Sequence, residues 1–378
     1  MGFLDTLKER VSEVVTSLQT GALDSVAGID IGSSAIKVVQ LKRSAGTAVL
    51  ETYGSVSLAP YAKGAAGDVV PMTEELIVTA INDLLRDARI TTKNVIVSIP
   101  ASASLLFSVK IPPVPESEYA PVITNEARKY IPVPLAEVSL DWWVLPANDL
   151  QSADATNTTN DQRTFLNVLV AAIQTQIMSG YESIVKKANL QARAYEIELF
   201  SQVRSLIHHE LGTVMIIDIG ALATRVGIVH EGVIRKTHII HRGSQYISSA
   251  IRQSLGVSFE EAEALKKKNG MLAQAGNERA TQALKVIETS VAYITAELTG
   301  FLSQYERESH ETVEKIILAG GGSEMSGLIE HLQTAFPVTV TKANPFSKTE
   351  YPEFLDTMLR TIGPEFSVAT GLALRMVQ

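Results

Sequence analysis

The sequence predicts an α/β fold made of two duplicated halves. Three observations predict it. The tetrapeptide Ile-Asp-Ile-Gly occurs twice, at residues 29–32 and 217–220, each time at the end of an apolar run and ahead of a second one. Around each copy the hydrophobic pattern reads as a three-strand meander with a helix after it. Short, continuously apolar runs at 94–100 and 315–318 then have the character of strands in a sheet covered on both faces. Each copy of the tetrapeptide is a strand, a Gly-centred turn and a returning strand. Backbone N–H groups at such a turn form a small anion-binding concavity, whereas the preceding carboxylate would repel a phosphate and suits the water shell of a Mg²⁺ ion instead. One such hairpin fits an ordinary β-turn as well. Two, half a chain apart, suggest halves that face one nucleotide.

The chain has 378 residues, enough for two or more domains, with 46% hydrophobic and 20% charged residues, as in a soluble globular protein. No apolar run approaches the roughly 20 residues of a membrane span. A net charge of -8 speaks against non-specific nucleic-acid binding, which needs a clustered basic surface. Zero cysteines exclude disulfides, thiolate metal sites and cysteine nucleophiles. Without a signal peptide, the expected location is the cytoplasm.

Residues 1–20 read as an amphipathic helix, with Phe3, Leu4, Leu7, Val11, Val14, Val15 and Leu18 at helical spacing and a mixed-charge opposite face that matches an anionic membrane poorly. Strands follow at 26–31, 35–42 and 48–58, then a loop at 61–68. Thr73 or a neighbour caps a helix to about Ala88, whose Leu76, Ile77, Ala80, Ile81, Leu84 and Leu85 form the buried stripe. Beyond the strand at 94–100, Pro112, Pro113 and Pro115 punctuate the chain before a helix over 116–130 that ends near Pro132. Strands at 140–145 and 164–173, joined by the polar loop 151–162, and a helix over 174–188 complete a small α/β unit. Trp142 and Trp143 are neighbours in a strand, so their rings point to opposite faces, and which of them is buried stays open.

A helix over 196–210 leads into the second half. Its meander spans 214–218, 224–230 and 233–241, with Glu231-Gly232 as a hairpin turn. Helices follow at 244–255, 259–268 and 280–305. The strand 315–318 ends in Gly320-Gly321-Gly322; a helix starting near Ser323 or Ser326, a strand at 338–341 and a closing helix at 367–376 finish the chain.

At the first turn, Asp30-Ile31-Gly32-Ser33-Ser34-Ala35-Ile36-Lys37 offers hydroxyls, N–H groups and a lysine suited to phosphate oxygens, though Lys37 equally suits a solvated strand face. The second turn, with Gly220, Ala221 and Thr224, is similar but less polar. The triple glycine lets a flat ring or phosphate lie against bare backbone, or makes a tight strand-to-helix connection. His238 and His241 lie three apart on a strand and His208 and His209 are helix neighbours, spacings that spoil both as metal pairs.

In their order these elements resemble the first phosphate loop, second phosphate loop and adenosine loop of the actin superfamily. The resemblance tightens to the PilM family of type IV pilus assembly, relatives of the cell-division actin FtsA. Glu126-Ala127-Arg128-Lys129-Tyr130-Ile131-Pro132-Val133-Pro134 and Asp141-Trp142-Trp143-Val144-Leu145 are similar to the inserted subdomain of that family, and Ser367 to Arg375 to its C-terminal helix. The similarity covers nearly the whole chain from about Gly28.

The resemblance implies an actin-like ATPase fold: two βββαβα-type lobes around a nucleotide cleft, divided as 1–25 for the N-terminal arm, 26–98 for the first lobe, 99–194 for the inserted α/β subdomain and 195–378 for the second lobe. It implies ATP and Mg²⁺ as ligands, with Asp30 and Asp218 beside the ion through water and Gly32, Ser33, Ser34 and Lys37 at the phosphates. Gly220 and Thr224 would form the second clamp. Gly320, Gly321, Gly322 and Ser323 would lie near the adenosine, with Met325 behind them. Glu260, Glu263 and Lys266 match the FtsA-like contacts to ribose and base, unless they are a solvated helix face. Glu198, or Glu196, matches by position the water-orienting residue. Ala221 stands where conventional actin has an acidic residue, so at most slow hydrolysis is expected.

The implied role is a cytoplasmic ATP-binding scaffold of the type IV pilus machine. It would be held at the inner face of the membrane by partners, bind the N-terminal cytoplasmic peptide of an inner-membrane PilN-like protein in a groove, and self-associate in some states. Two rivals share the fold. A small-molecule kinase would need an acceptor-site base beyond the hairpin carboxylates, and a polymerising FtsA-like division protein usually ends in a basic membrane helix, whereas this sequence stops at Gln378 after its closing helix.

Overall fold

The computed structural model describes residues 24–145, 165–208, 212–272 and 277–377. The expected N-terminal helix and the loop 151–162 lie outside the described residues.

The duplication is complete at the level of sheet topology. The first sheet, of order β3-β2-β1-β4-β8, comprises β1 (Ser25–Ile31), β2 (Ala35–Ser44), β3 (Thr47–Ser57), β4 (Asn94–Ile99) and β8 (Gln191–Ile197). The second has the order β11-β10-β9-β12-β13, from β9 (Thr213–Ile219), β10 (Thr224–His230), β11 (Val233–Ile240), β12 (Val313–Ala319) and β13 (Thr339–Lys342). In both, the central strand is antiparallel to the one after it and parallel to a strand reached through helices. Glu231 and Gly232 turn β10 into β11 with positive φ at both residues, the backbone a tight hairpin demands.

Helices cover both faces, as the apolar runs of β1, β4 and β9 require. In the first lobe α1 (Glu74–Asp87), capped by the Thr73 side chain, puts Ala80, Ile81 and Leu84 against Ile29, Val38 and Val97. The inserted unit holds β5 (Ser104–Ile111), α2 (Tyr119–Ala127), β6 (Val138–Val144) and β7 (Leu166–Gln174), with sheet order β5-β7-β6. α3 (Thr175–Lys187), expected in that unit, instead places Ile184 and Val185 in the core beside α1. Strand β8, unassigned in the sequence as far as the expected helix start at Glu196, alternates exposed Gln191 and Arg193 with half-buried Ala192 and Ala194 at the sheet edge, so Glu196 lies in a strand and the next helix starts only at Glu198. β5 also differs from expectation: it alternates, with Val109 and Ile111 buried, just ahead of the prolines.

Two helices tie the lobes together by crossing over. α4 (Glu198–Leu206) leaves the first sheet but packs Leu199 and Leu206 on Val214, Ile216 and Ile317 of the second. The second lobe holds α5 (Ser244–Leu255), α6 (Phe259–Asn269), α7 (Glu278–Ser309), α8 (Leu328–Ala335) and α9 (Asp356–Ile362). Its last helix, α10 (Ser367–Leu374), returns to pack Val368, Ala369, Leu372 and Ala373 on Val26, Val39 and Ile96 of the first sheet. The approach is so close that a β-carbon on Gly28 would overlap the backbone of Ala369.

Trp142 is packed in the core of the inserted unit, while Trp143 is exposed at 41% and lies against Phe200 of α4, ring centroids 4.8 Å apart. Among the described residues no helix is long and apolar enough to cross a membrane.

Candidate functional site

The two turns are built alike. Gly32 N–H donates to Ala35 O at 3.1 Å, and Gly220 N–H donates to Ala223 O at 3.0 Å. The register repeats as well: Asp30 pairs with Lys37 across β1 and β2, and Asp218 pairs with Arg225 across β9 and β10. Each turn therefore carries a carboxylate and, seven residues on, a cation directly opposite it. A β-carbon on Gly220 would sit 3.0 Å from Arg225 Nη1 and 3.1 Å from Ala223 O, a tight fit that Arg225 would have to yield to.

Asp30 and Asp218 are both buried. Ser98 Oγ donates to Asp30 Oδ1 at 2.9 Å while accepting from Ile31 N–H. Burial raises the Asp30 carboxyl, Lys37 and the Ser98 hydroxyl partly offset it, and the charge of Asp218 adds to the rise. The two aspartates thus feel one another across the lobes. Arg225 sits between Asp218 and a third buried acid, with Nη1 3.4 Å from Asp218 Oδ2 and Nε 2.9 Å from Glu198 Oε2. The Nε contact is off the line of a directed hydrogen bond, so it is a charge contact. Burial works against the Arg225 charge, but Glu198, Asp218 and Asp30 outweigh it and hold the guanidinium above its ordinary value.

Glu198 begins α4, where a carboxylate suits the helix N-terminus, and it accepts Ala101 N–H at 3.0 Å. Burial nonetheless pushes its carboxyl up to about 7, Arg225 offsetting part of this while Asp30 and Asp218 add to it. Tyr181 of α3 belongs to the same cluster: burial, then the charges of Glu198 and Asp30, hold its phenol protonated. Glu196, the other water-orienting candidate, points elsewhere. Arg204 grips both its oxygens at 2.7 Å and Arg375 reaches it at 3.0 Å, so it clamps β8 to α4 and the C-terminal helix.

Beside the turns lies a cavity of ≈ 480 Å³ between the lobes. Ser34, Ile219, Ala221, Gly321, Gly322 and Met325 line it, whereas Asp30, Asp218, Glu198 and Arg225 are not among its lining residues. Gly321 has open space around its Cα, as bare backbone facing a ligand should. Gly320 lies at φ 80 and ψ 159, a conformation open essentially to glycine, and a side chain there would overlap Asp218 Oδ1. The triple glycine therefore fastens β12 to the second turn on one side and opens the cavity on the other. Ser323 is fully buried and donates its hydroxyl to Gly320 O at 2.7 Å, which makes it a brace of that loop. Thr224 likewise is fully buried, its hydroxyl donated to Arg242 O at 2.9 Å. Neither hydroxyl is presented to the cavity.

On α6, Glu263 and Lys266 line the cavity, and their side chains meet at 2.7 Å. Lys266 Nζ also donates to Ser244 O at 3.1 Å. Burial lowers the Lys266 ammonium; for Glu263, burial works the other way, but Lys266 outweighs it and keeps the carboxyl low. Glu260 is exposed and is not among the residues that line the cavity. It sits in the first turn of α6, six residues and so about 9 Å of helix rise before Lys266. Lys267, unanticipated, lines the cavity instead.

Arg225 was legible in the sequence, had the two copies been aligned: Asp-Ile-Gly-Ser-Ser-Ala-Ile-Lys against Asp-Ile-Gly-Ala-Leu-Ala-Thr-Arg puts Lys37 over Arg225. Gly67 and Glu365, which also line the cavity, reach it through the tertiary fold and carry no local signal.

Comparison with known proteins agrees with this architecture. The family model of the type IV pilus assembly protein PilM matches residues 28–377. A curated relative, the cell division protein FtsA of Enterococcus faecalis (strain ATCC 700802 / V583), is 23% identical over 340 residues, 83% of this chain and 77% of its own length. Among solved structures, the chain is similar to one from the PilM-PilN type IV pilus biogenesis complex, 24% identical with TM-score 0.78, covering 95% of this chain and 100% of that one. It is also similar to MreB5 of Spiroplasma citri bound to AMPPNP, 12% identical with TM-score 0.53, over 93% of this chain and 95% of the other. The fold is that of the actin-like ATPases, and with a match spanning both lobes and the inserted unit, the chain belongs to the type IV pilus assembly protein PilM family.

Proposed function

We propose that the cleft binds ATP with Mg²⁺ and that the protein is a nucleotide-responsive scaffold of type IV pilus assembly, held at the cytoplasmic face of the inner membrane by a PilN-like partner. The observation that carries the nucleotide reading is the pair of matched turns, each with a buried aspartate, flanking a cavity of ≈ 480 Å³, within the usual size of a cofactor site. The donor set fits the ion: two carboxylates whose burial and mutual repulsion a divalent cation relieves, and few enough to leave Mg²⁺ most of its waters. When bound, Mg²⁺ would neutralise phosphate charge. Ser33, Ser34 and Lys37 would hold the first phosphate turn and Gly220 the second; Lys266 and Lys267 would supply positive charge, and Gly321, Gly322 and Met325 the surface for the nucleoside.

Glu198 is bound by Arg225 and Ala101 N–H, which leaves it a poor water-orienting base. Binding with slow or no turnover is the reading that follows. The PilN-like partner is supported by the likeness to the PilM-PilN complex and by the inserted sheet, whose edge strands β5 and β6 suit an extended peptide.

Calorimetric titration of Mg-ATP into the purified protein tests the cleft, with Asp218→Ala and Asp30→Asn as controls. Saturable binding weakened in both variants is the expected result. Equal binding in wild type and variants would place the nucleotide elsewhere.

A further inference from the structure

The acid cluster lies near both connections between the inserted unit and the first lobe. Ala101, whose N–H binds Glu198, opens the short turn Ala101–Ala103 that carries β4 into β5. Tyr181, whose phenol feels the charges of Glu198 and Asp30, lies on the helix that follows β7 out of the unit. Phe200, two residues past Glu198 on α4, meets Trp143 of β6. Thus the turn into β5 and strand β6 both meet the start of α4, and the helix after β7 lies within reach of the cluster's charge.

We propose that Arg225 and Glu198 transmit cation occupancy of the cleft to the inserted three-stranded unit, through the hydrogen bond that Ala101 N–H gives to Glu198. The inference rests on the reading that Mg-ATP binds between the two turns. Arg225 divides its charge between Asp218 at 3.4 Å and Glu198 at 2.9 Å. With a divalent cation beside Asp218, Arg225 would lose its share of that carboxylate, feel a like charge and turn wholly to Glu198. Oε2 of Glu198 is the oxygen that takes both Arg225 and Ala101 N–H, so a stronger claim by Arg225 changes what is left for Ala101. Pro100, just before it, has its φ fixed by its ring at -60, so displacement at Ala101 passes forward into β5. The sheet a partner would grip then moves with the ligand in the cleft. Arg225, Glu198 and Ala101 are positioning residues in this scheme; none needs to touch the phosphate.

Hydrogen exchange of the full chain, with and without saturating Mg-ATP, tests the relay, with calorimetry on the same samples. In the wild type, Mg-ATP is expected to change exchange across residues 101–111 by about threefold or more. Ala101→Pro removes only the N–H donor, at a helical first position that suits proline. It should bind Mg-ATP as the wild type does and lose the exchange response, and Glu198→Gln should lose that response at saturation as well. A purely structural role would shift the resting exchange but keep the ligand-induced difference. If Ala101→Pro retains the wild-type response with its cleft saturated, the relay is overturned. Binding by the wild type without any change at 101–111 overturns the relay alone, whereas no binding by the wild type removes the cleft reading and the relay together.

Discussion

Arg225 Nη1 lies 3.4 Å from Asp218 Oδ2, and the strand register that sets this pair opposite one another sets Lys37 opposite Asp30 in the other lobe. The two halves thus carry the same acid–cation pair at the same place, but only the second cation also reaches a third acid, Glu198. Three buried carboxylates leave Arg225 with more charge to balance than any other cation of the cluster. Arg225→Ala is expected to cost about 3 kcal/mol of folding stability, the scale for stranding buried charge. Denaturant titration should show that loss, and Mg²⁺ should restore part of it in the variant while adding less to the wild type. A variant as stable as wild type would mean that the carboxylates relieve one another by protonation.

The triple glycine gives a paired test in which stability and binding separate. Gly320→Ala forces a side chain into a backbone region essentially reserved for glycine and against Asp218, so a loss of about 1–3 kcal/mol and of Mg-ATP binding is expected. Gly321→Ala meets no atom within 4 Å, so its melting temperature should stay near wild type. Because Gly321 lines the cavity, the added methyl should still weaken nucleotide binding, measured by calorimetry. Unchanged affinity in Gly321→Ala would remove this loop from the nucleoside site.

The Glu198 carboxyl supplies a pH signature. Its folded value of about 7 lies above its ordinary value of 4.5, chiefly because burial disfavours the charge. The folded state therefore holds more protons than the unfolded one between these values, and stability falls as pH rises from about 4.5 through about 7. Glu198→Gln has no proton to lose, so the stability of the wild type relative to this variant should be greater at the acid end of that window. Denaturant midpoints of both proteins at its two ends measure the difference. A wild-type protein that gains on the variant as pH rises would reverse the sign and show that Arg225 dominates over burial.

Local pattern made most of this fold legible because most of its elements bury continuous apolar runs or announce their turns. Thr73, Glu231-Gly232 and the helix Ser244–Leu255 fall where the sequence puts them, since caps, hairpin turns and amphipathic periods are properties of a few neighbouring residues. β5 and β8 were not legible. Both lie at sheet edges and alternate polar with apolar residues, so neither has the apolar run that betrays β4. The crossing of α4 and α10 onto each other's lobes depends on contacts over more than a hundred residues, such as Gln202 Nε2 to Ser367 Oγ, which no window contains. The site divides in the same way. Its two aspartates and turn glycines stand in the repeated word; Lys267 is a matter of which helical turn faces inward, and Gly67 and Glu365 arrive from distant loops.

One further contact spans the cleft directly. Gln245 Nε2, in the first turn of α5, donates to Asp68 Oδ1 in the first-lobe loop before α1, and the neighbouring Gly67 lies against the Glu263 carboxylate. The backbone N–H groups of Ser244 and Gln245 in turn donate to Gly220 O and Ala221 O, so this latch is attached to the second turn itself. Asp68 stands next to Gly67, which lines the cavity, so its bond to Gln245 would hold the lobes together over a ligand bound there. Asp68→Ala removes a hydrogen bond worth on the order of 1 kcal/mol. Nucleotide dissociation in stopped flow should then be about fivefold faster, with association little changed, because the loss falls on the closed state. A slower association at unchanged dissociation would mean that the loop orders the open cleft for capture and does not hold it shut.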